Sequence, residues 1–325
     1  MKGSLQLDKE CTVCPKNCGA KRYAGQKGYC GETGAVRVTR AMPHMWEEPV
    51  ISGDLGSGAV FFSGCNLHCV YCQNKAISDG GMGKEISIDR LKEIFLELQD
   101  KNVYNINLVT PTHYAYEIKE AVNLARKEGL TIPVVYNSGG YESVSTIKDL
   151  YDTVDIWMPD MKYISGETAG KYSHTPDYFE RASEALSEMV KQVKEKGGTV
   201  FKETAPQQGE TDKKNLSNDK VRIMERGVIV RHMLLPGNVG ESKRVLRYLH
   251  ETFGNDIYIS IMSQYTPMPQ IMESDRYPEL KRGVTKDEYE RLVDFAIKIG
   301  IENAFIQEGE TAKESFIPEF NGEGV

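Results

Sequence analysis

AVFFSGCNLHCVYCQN, residues 59–74, decides how the rest of this 325-residue chain reads. Its apolar start, rich in β-branched and aromatic residues, has the make-up of a buried parallel strand, and Ser63 and Gly64 end it. Three cysteines follow at once. Cys65, Cys69 and Cys72 stand in a C-x3-C-x2-C spacing, with Tyr71 just before the last. Closely spaced thiolates are the ligands of iron–sulfur clusters, and three of them leave one iron of a four-iron cubane without a protein ligand. Catalytic metal sites keep such an open position for what they act on. A zinc knuckle or three unrelated buried thiols are the other readings, but zinc usually takes four ligands in more even pairs.

Outward from that loop the chain alternates. Further apolar runs stand at 105–110 (NINLVT), 133–137 (PVVYN), 155–162 (DIWMPDMK), 227–235 (GVIVRHMLL) and 256–262 (DIYISIM). Between them lie amphipathic stretches. Leu91, Ile94, Phe95 and Leu98 recur at helical spacing behind Ser87, a fitting N-cap. Segments 116–128, 145–150, 177–196, 242–253 and 285–299 read the same way, with Gly129 and Gly300 as stops. Six such units predict an α/β fold with a parallel sheet and right-handed crossovers. Alternation alone suits a doubly wound sheet as well as a barrel. Residues 1–58 show little periodicity and read as a Cys-rich extension, 59–310 as the α/β unit and 311–325 as a C-terminal tail. Segment 206–220, PQQGETDKKNLSNDK, reads as a polar surface excursion.

Apolar residues make up 40% and charged residues 27%, the balance of a soluble globular protein, and the net charge is −7. That balance predicts no nucleic-acid partner and no anionic membrane surface, since each needs a clustered basic face. With no apolar run of spanning length and no signal-peptide core at the start, the expected location is cytoplasmic. Clustered cysteines in that compartment are metal ligands more often than disulfides. Besides Cys65, Cys69 and Cys72 there are Cys11, Cys14, Cys18 and Cys30, interspersed with glycines. So short a unit cannot bury a core of its own, and a metal is its natural organiser: a second iron–sulfur cluster or a zinc ion. Glu47 and Glu48, beside Trp46 just before the barrel, offer a substrate contact, but two carboxylates in a linker read more readily as solvated.

The C-x3-C-x2-C spacing with its aromatic resembles the signature of the radical S-adenosylmethionine (SAM) superfamily. The resemblance implies a partial (β/α)6 barrel with the cysteine loop after its first strand. It implies a 4Fe-4S cluster on Cys65, Cys69 and Cys72, with SAM bound at the free iron. Reductive cleavage of SAM would then give a 5′-deoxyadenosyl radical that takes a hydrogen atom from a substrate. The ends of the later runs fall in a fitting order. Thr110, Pro111 and Thr112 stand where the superfamily often has a Gly-Gly-Glu turn facing SAM. The turn YNSGGY at 136–141, with Asn137, is similar to the D-T-N-G turn of glycyl-radical activating enzymes, although Tyr136 replaces their carboxylate. Asp160 and Lys162 resemble the D-x-K of those enzymes. Arg231 resembles the arginine they offer to the SAM carboxylate, and an arginine in so apolar a run needs an anionic partner. His232 alternates to the other face and reads as a core histidine.

Segments 44–58, 61–78, 105–114, 135–142, 154–163, 230–237 and 263–268 together resemble the stand-alone subgroup related to the pyruvate formate-lyase activating enzyme. Membership implies oxidoreductase-type radical chemistry under anaerobic conditions, with flavodoxin or ferredoxin as reductant. The target would be a glycine on a partner glycyl-radical enzyme or a small molecule. A non-catalytic iron–sulfur or zinc protein, serving electron transfer or assembly, is the competing class. Nothing in the chain names the substrate.

Overall fold

The apolar runs at 59–63, 105–110, 133–137, 155–162, 227–235 and 256–262 become strands, and they lie side by side in chain order. In the computed structural model, which describes residues 9–205, 220–307 and 319–325, ten strands form one sheet. They are β1 (Val36–His44), β2 (Ser57–Phe62), β3 (Lys84–Ile86), β4 (Ile106–Val109), β5 (Val134–Ser138), β6 (Ile156–Pro159), β7 (Val200–Thr204), β8 (Val221–Met233), β9 (Tyr258–Met262) and β10 (Ala304–Ile306). The order is β10-β9-β8-β6-β5-β4-β2-β1-β3, with β7 paired to β8. Every pairing from β2 to β10 is parallel, while β1 runs antiparallel to β2 and β3, and β7 antiparallel to β8. The short strands β3 and β10 stand at opposite ends of that order, so the barrel is open and partial.

The longer helices are α1 (Ile88–Asp100), α2 (Ala115–Lys127), α3 (Val144–Asp149), α4 (Gly166–Ser173), α5 (Tyr178–Glu195), α6 (Val239–Phe253) and α7 (Lys286–Lys298). Local chemistry sets their ends. The Ser87 hydroxyl accepts from the Arg90 amide before α1, and Thr285 and Glu288 form a reciprocal capping box before α7. Leu91, Ile94, Phe95 and Leu98 of α1 pack with Val60, Phe62 and Leu108 on the outer face of the sheet. Alternation then points Phe61, Val109, Asn137 and Arg231 to the inner face, where they line a cavity.

The structure departs from the sequence reading in several places, the short strands β3 and β7 among them. Residues 36–44, expected within the irregular extension, form the longest antiparallel partner of the barrel, strand β1. Helix α4 and the seventh parallel strand, β10, carry too little periodicity to be seen. The last residues do not hang free: Gly322 donates its amide to the Thr39 carbonyl and Ala41 donates to that of Glu323. The remainder of the tail at 311–318, and the polar excursion except Lys220, lie outside the described residues. Among the described residues no helix is long and apolar enough to cross a membrane.

Candidate functional site

Strand β2 ends at Phe62, and the chain must turn at once. Gly64 makes that turn with φ +86°, and its amide donates to the Ile77 carbonyl at 2.8 Å. Cys65, Cys69 and Cys72 follow at the carboxyl end of the parallel strands, where active groups of α/β barrels gather. The Ser173 hydroxyl, at the end of α4, donates to the Cys69 sulfur at 3.0 Å, and the Leu67 amide donates to that of Cys65 at 3.4 Å. Burial, with Cys69 and Cys72 close by, pushes the Cys65 thiol up to about 12; burial and then Cys69 raise Cys72 as well. Loading a metal on this loop must therefore displace protons.

Beside the loop lies a charged network drawn from three strands. Asp160, just beyond β6, accepts from Lys162 Nζ at 2.5 Å and from Arg231 Nε of β8 at 3.1 Å. Arg231 also donates to Asn137 Oδ1 of β5 at 2.6 Å and reaches Glu47 at 3.7 Å. Burial opposes ionisation of Asp160, yet Lys162 and Arg231 outweigh it and hold its carboxyl below the usual range. Lys162 lies near enough to the thiols for Cys69 to raise its pKa and for it to lower that of Cys72. The network opens on a cavity of about 510 Å³, walled also by Gln73 and Asn74, the two residues after Cys72.

The other predicted contacts sit differently. Tyr71 is buried; its hydroxyl accepts from Tyr163 at 2.6 Å, and it packs edge-on against Tyr172 and Tyr265. Pro111 and Thr112 are buried, and neither they nor Thr110 line the cavity. Thr112 gives its hydroxyl to Glu142 at 2.6 Å instead. Thr110 does hold a strained φ of +60°, as a tight strand-to-helix turn demands. His232 is buried with Nδ1 2.7 Å from the Met161 carbonyl, while its Nε2 has no hydrogen-bond partner among the described residues.

Glu142, which sequence reasoning passed over, is fully enclosed, and burial raises its carboxyl from 4.5 to about 7 against the hydrogen bonds of Thr112, Ser138 and Tyr136. The native state thus keeps a proton that the unfolded chain has released. Stability falls as pH rises from near 4.5 to 7, by about 3 kcal/mol, and is level above that window. Urea unfolding of Glu142→Gln should lose this fall, gaining relative to the parent at pH 8 and not at pH 4.

The N-terminal thiols form a second group backed against the first. Burial raises the Cys14 thiol to about 12 and raises that of Cys30, and Cys11 lies near enough to add to both. A side chain on Gly28 would meet the sulfurs of Cys30 and Cys18 at 3.3 and 3.5 Å. The Cys65 amide donates to the Cys30 carbonyl at 3.1 Å, so the two cysteine segments share a backbone hydrogen bond. A Cβ on Gly64 would stand 2.6 Å from that carbonyl oxygen. Gly64→Ala should therefore lower stability by about 2 kcal/mol or more, from left-handed strain plus the clash, seen as a lower melting temperature.

Glu47 and Glu48 overturn the expectation of solvated linker carboxylates: both line the cavity, and Glu48 is only 8% exposed. Their burial depends on the fold of β1 and β2 around them, which no local pattern announces.

Residues 59–214 match the model of the radical SAM superfamily. The chain carries a radical SAM domain. Its matched segment starts within β2 and includes the three cysteines, Asn137, Asp160 and Lys162, while Arg231 lies beyond it. An uncharacterized protein of Methanocaldococcus jannaschii is 25% identical over 303 residues, 90% of this chain and 76% of that one. Among solved structures, Streptococcus suis SuiB bound to S-adenosylmethionine overlays with a TM-score of 0.47 at 10% identity. That overlay covers 77% of this chain and 50% of SuiB. Methylornithine synthase (PylB) gives 0.45 at 12% identity, covering 74% and 60% of the two chains. The chain thus spans about half to three fifths of the solved chains it matches. The radical SAM superfamily implies a 4Fe-4S cluster and SAM. Among the described residues no three cysteine, histidine or acidic side chains are already drawn together as a site for a metal ion. The donor chemistry fits both groups all the same, with three free thiols on one loop and a buried cation–carboxylate network beside them.

Proposed function

We infer that this chain is a radical SAM enzyme in which Cys65, Cys69 and Cys72 hold a 4Fe-4S cluster. SAM lies in the adjoining cavity against Asn137, Asp160, Lys162 and Arg231. The observation that carries this reading is the convergence of thiols and network: residues from four separate stretches of chain meet beside one cavity. A cluster held by Cys65, Cys69 and Cys72 would supply, once reduced, the single electron that splits SAM into methionine and a 5′-deoxyadenosyl radical able to abstract hydrogen.

This chain's own groups prepare that event. Arg231 offers a carboxylate of SAM a guanidinium already oriented by Asp160 and Asn137. Lys162 keeps positive charge near the thiolates. Tyr71, Tyr163 and Tyr172 wall the loop with rings that keep water out. Cys11, Cys14, Cys18 and Cys30 are assigned a second metal, an iron–sulfur cluster or zinc. The subgroup resemblance supports chemistry akin to that of the pyruvate formate-lyase activating enzyme, with flavodoxin or ferredoxin as reductant in an anaerobic cytoplasm.

The test is anaerobic reconstitution followed by reduction with SAM present. About four irons per chain with 5′-deoxyadenosine release support the reading with zinc at the second site, and about eight support it with two clusters. No 5′-deoxyadenosine from iron-loaded protein would favour a non-catalytic metal protein instead.

A further inference from the structure

Glu47 and Glu48 are left over when the cofactor contacts are assigned. They sit in the link between β1 and β2. There the Glu48 carbonyl accepts from the Ile51 and Ser52 amides at 2.7 and 3.0 Å, and the Glu47 amide donates to the Ser52 hydroxyl at 3.0 Å. The turn directs both side chains into the 510 Å³ cavity that Arg231 lines. The Glu47 side chain is 11% exposed, and Glu48 Oε2 is buried with no hydrogen-bond partner among the described residues. A buried carboxylate oxygen left unpaired is costly, so its position on a roomy cavity wall points to an occupant that pairs with it.

Charge says which occupant. Of the groups that line the cavity, Glu47 and Glu48 are acidic and Arg231 is the one cation among the described residues. Burial raises both carboxyls, with Arg231 opposing it, so an occupant that brings positive charge is what lets both ionise. Arg231 is already committed to Asp160 and Asn137, and reaches Glu47 only at 3.7 Å. His44, also on the wall, does not make up the difference, because burial and then Arg40 lower its pKa and keep it neutral. If Arg231 receives the carboxylate of SAM, Glu47 loses part of the one ion pair it has. Apolar groups of Phe61, Met262 and Phe305 complete the wall.

We propose that Glu47 and Glu48 form the binding site for a protonated primary amine carried by the molecule the radical attacks. The ammonium offers several donors on one centre, enough for the free Glu48 oxygen and for Glu47 together. It also supplies the missing positive charge, which a hydroxyl or amide cannot, while the apolar wall takes the carbon chain. What becomes of the amine after binding rests on the radical SAM reading; the binding itself does not.

Anaerobically reconstituted protein is titrated calorimetrically, with and without SAM, with 1,5-diaminopentane and with L-lysine amide. Their uncharged counterparts are 1,5-pentanediol and Nε-acetyl-L-lysine amide. Saturable binding of an amine is expected, weaker by about tenfold or more for its counterpart and for Glu48→Gln. Glu47→Gln serves in place of Glu48→Gln if melting shows that variant misfolded. The proposal is overturned if neither amine binds, if the counterparts bind equally well, or if the substitutions weaken SAM alone. Release of 5′-deoxyadenosine by the parent is followed in parallel. Its absence sinks the enzyme reading and leaves the amine titration to be judged by itself.

Discussion

Replacing Cys69 with alanine should bring 5′-deoxyadenosine release to background. Cys69 is the middle thiol of the loop, 6% exposed, and its sulfur accepts from Ser173 at 3.0 Å inside an aromatic and aliphatic core. Two remaining thiolates cannot hold a cubane that needs three, so the variant loses the cluster rather than merely slowing it. The lesion should be confined to the metal. Removing one small sulfur from a packed site costs about 1 kcal/mol in the metal-free fold, so the protein should still melt cooperatively. Iron content and absorbance after anaerobic reconstitution measure the loss directly. Cys14→Ser is the matching control, expected to leave the spectrum of the first cluster intact while emptying the N-terminal group. If Cys69→Ala still cleaves SAM, the assignment of the three thiols fails.

The second large effect belongs to Asp160. Its carboxylate stands between Lys162 at 2.5 Å and Arg231 at 3.1 Å, all three well shielded from solvent. Asp160→Ala leaves two cations facing each other without their shared anion, a loss of about 3–5 kcal/mol. The same change frees Arg231 to swing, so SAM affinity should fall with it. The acid side gives an independent check. Because Lys162 and Arg231 hold the folded carboxyl below its unfolded value, Asp160 stabilises the fold above pH ~4 and that help fades as pH falls further. Denaturant midpoints followed from pH 6 to pH 3 should drop more steeply for the parent than for the variant. Equal slopes would mean the ion pairs are not formed in solution.

Much of this architecture could be read from the chain because its signals are local. Ser87 and Thr285 cap helices where their own side chains reach the third amide along, and Gly129 and Gly300 stop helices because they accept positive φ. The six buried runs needed no partner to be recognised, since a parallel strand covered on both faces is apolar throughout. Cys65, Cys69, Cys72, Asp160 and Arg231 were visible for a similar reason, each standing out chemically against an apolar strand end. Strand β1 was not, because its mixed burial reflects pairing with β2 and with the far C-terminus. The inward turn of Glu47 and Glu48 was hidden for the same reason. Thr110, Pro111 and Thr112 were placed by position alone, and Thr112 is bound instead to Glu142, a carboxyl thirty residues away that no spacing connects to it.

The hydrogen bond from the Cys65 amide to the Cys30 carbonyl has a bearing on how the protein can be trimmed. A shortened version beginning at β1 keeps every strand and every helix longer than one turn, and would pass for a minimal catalytic barrel. It would have no rear wall. The loop that carries the thiols would lose the backbone that braces it, and solvent and dioxygen would gain a way in from behind.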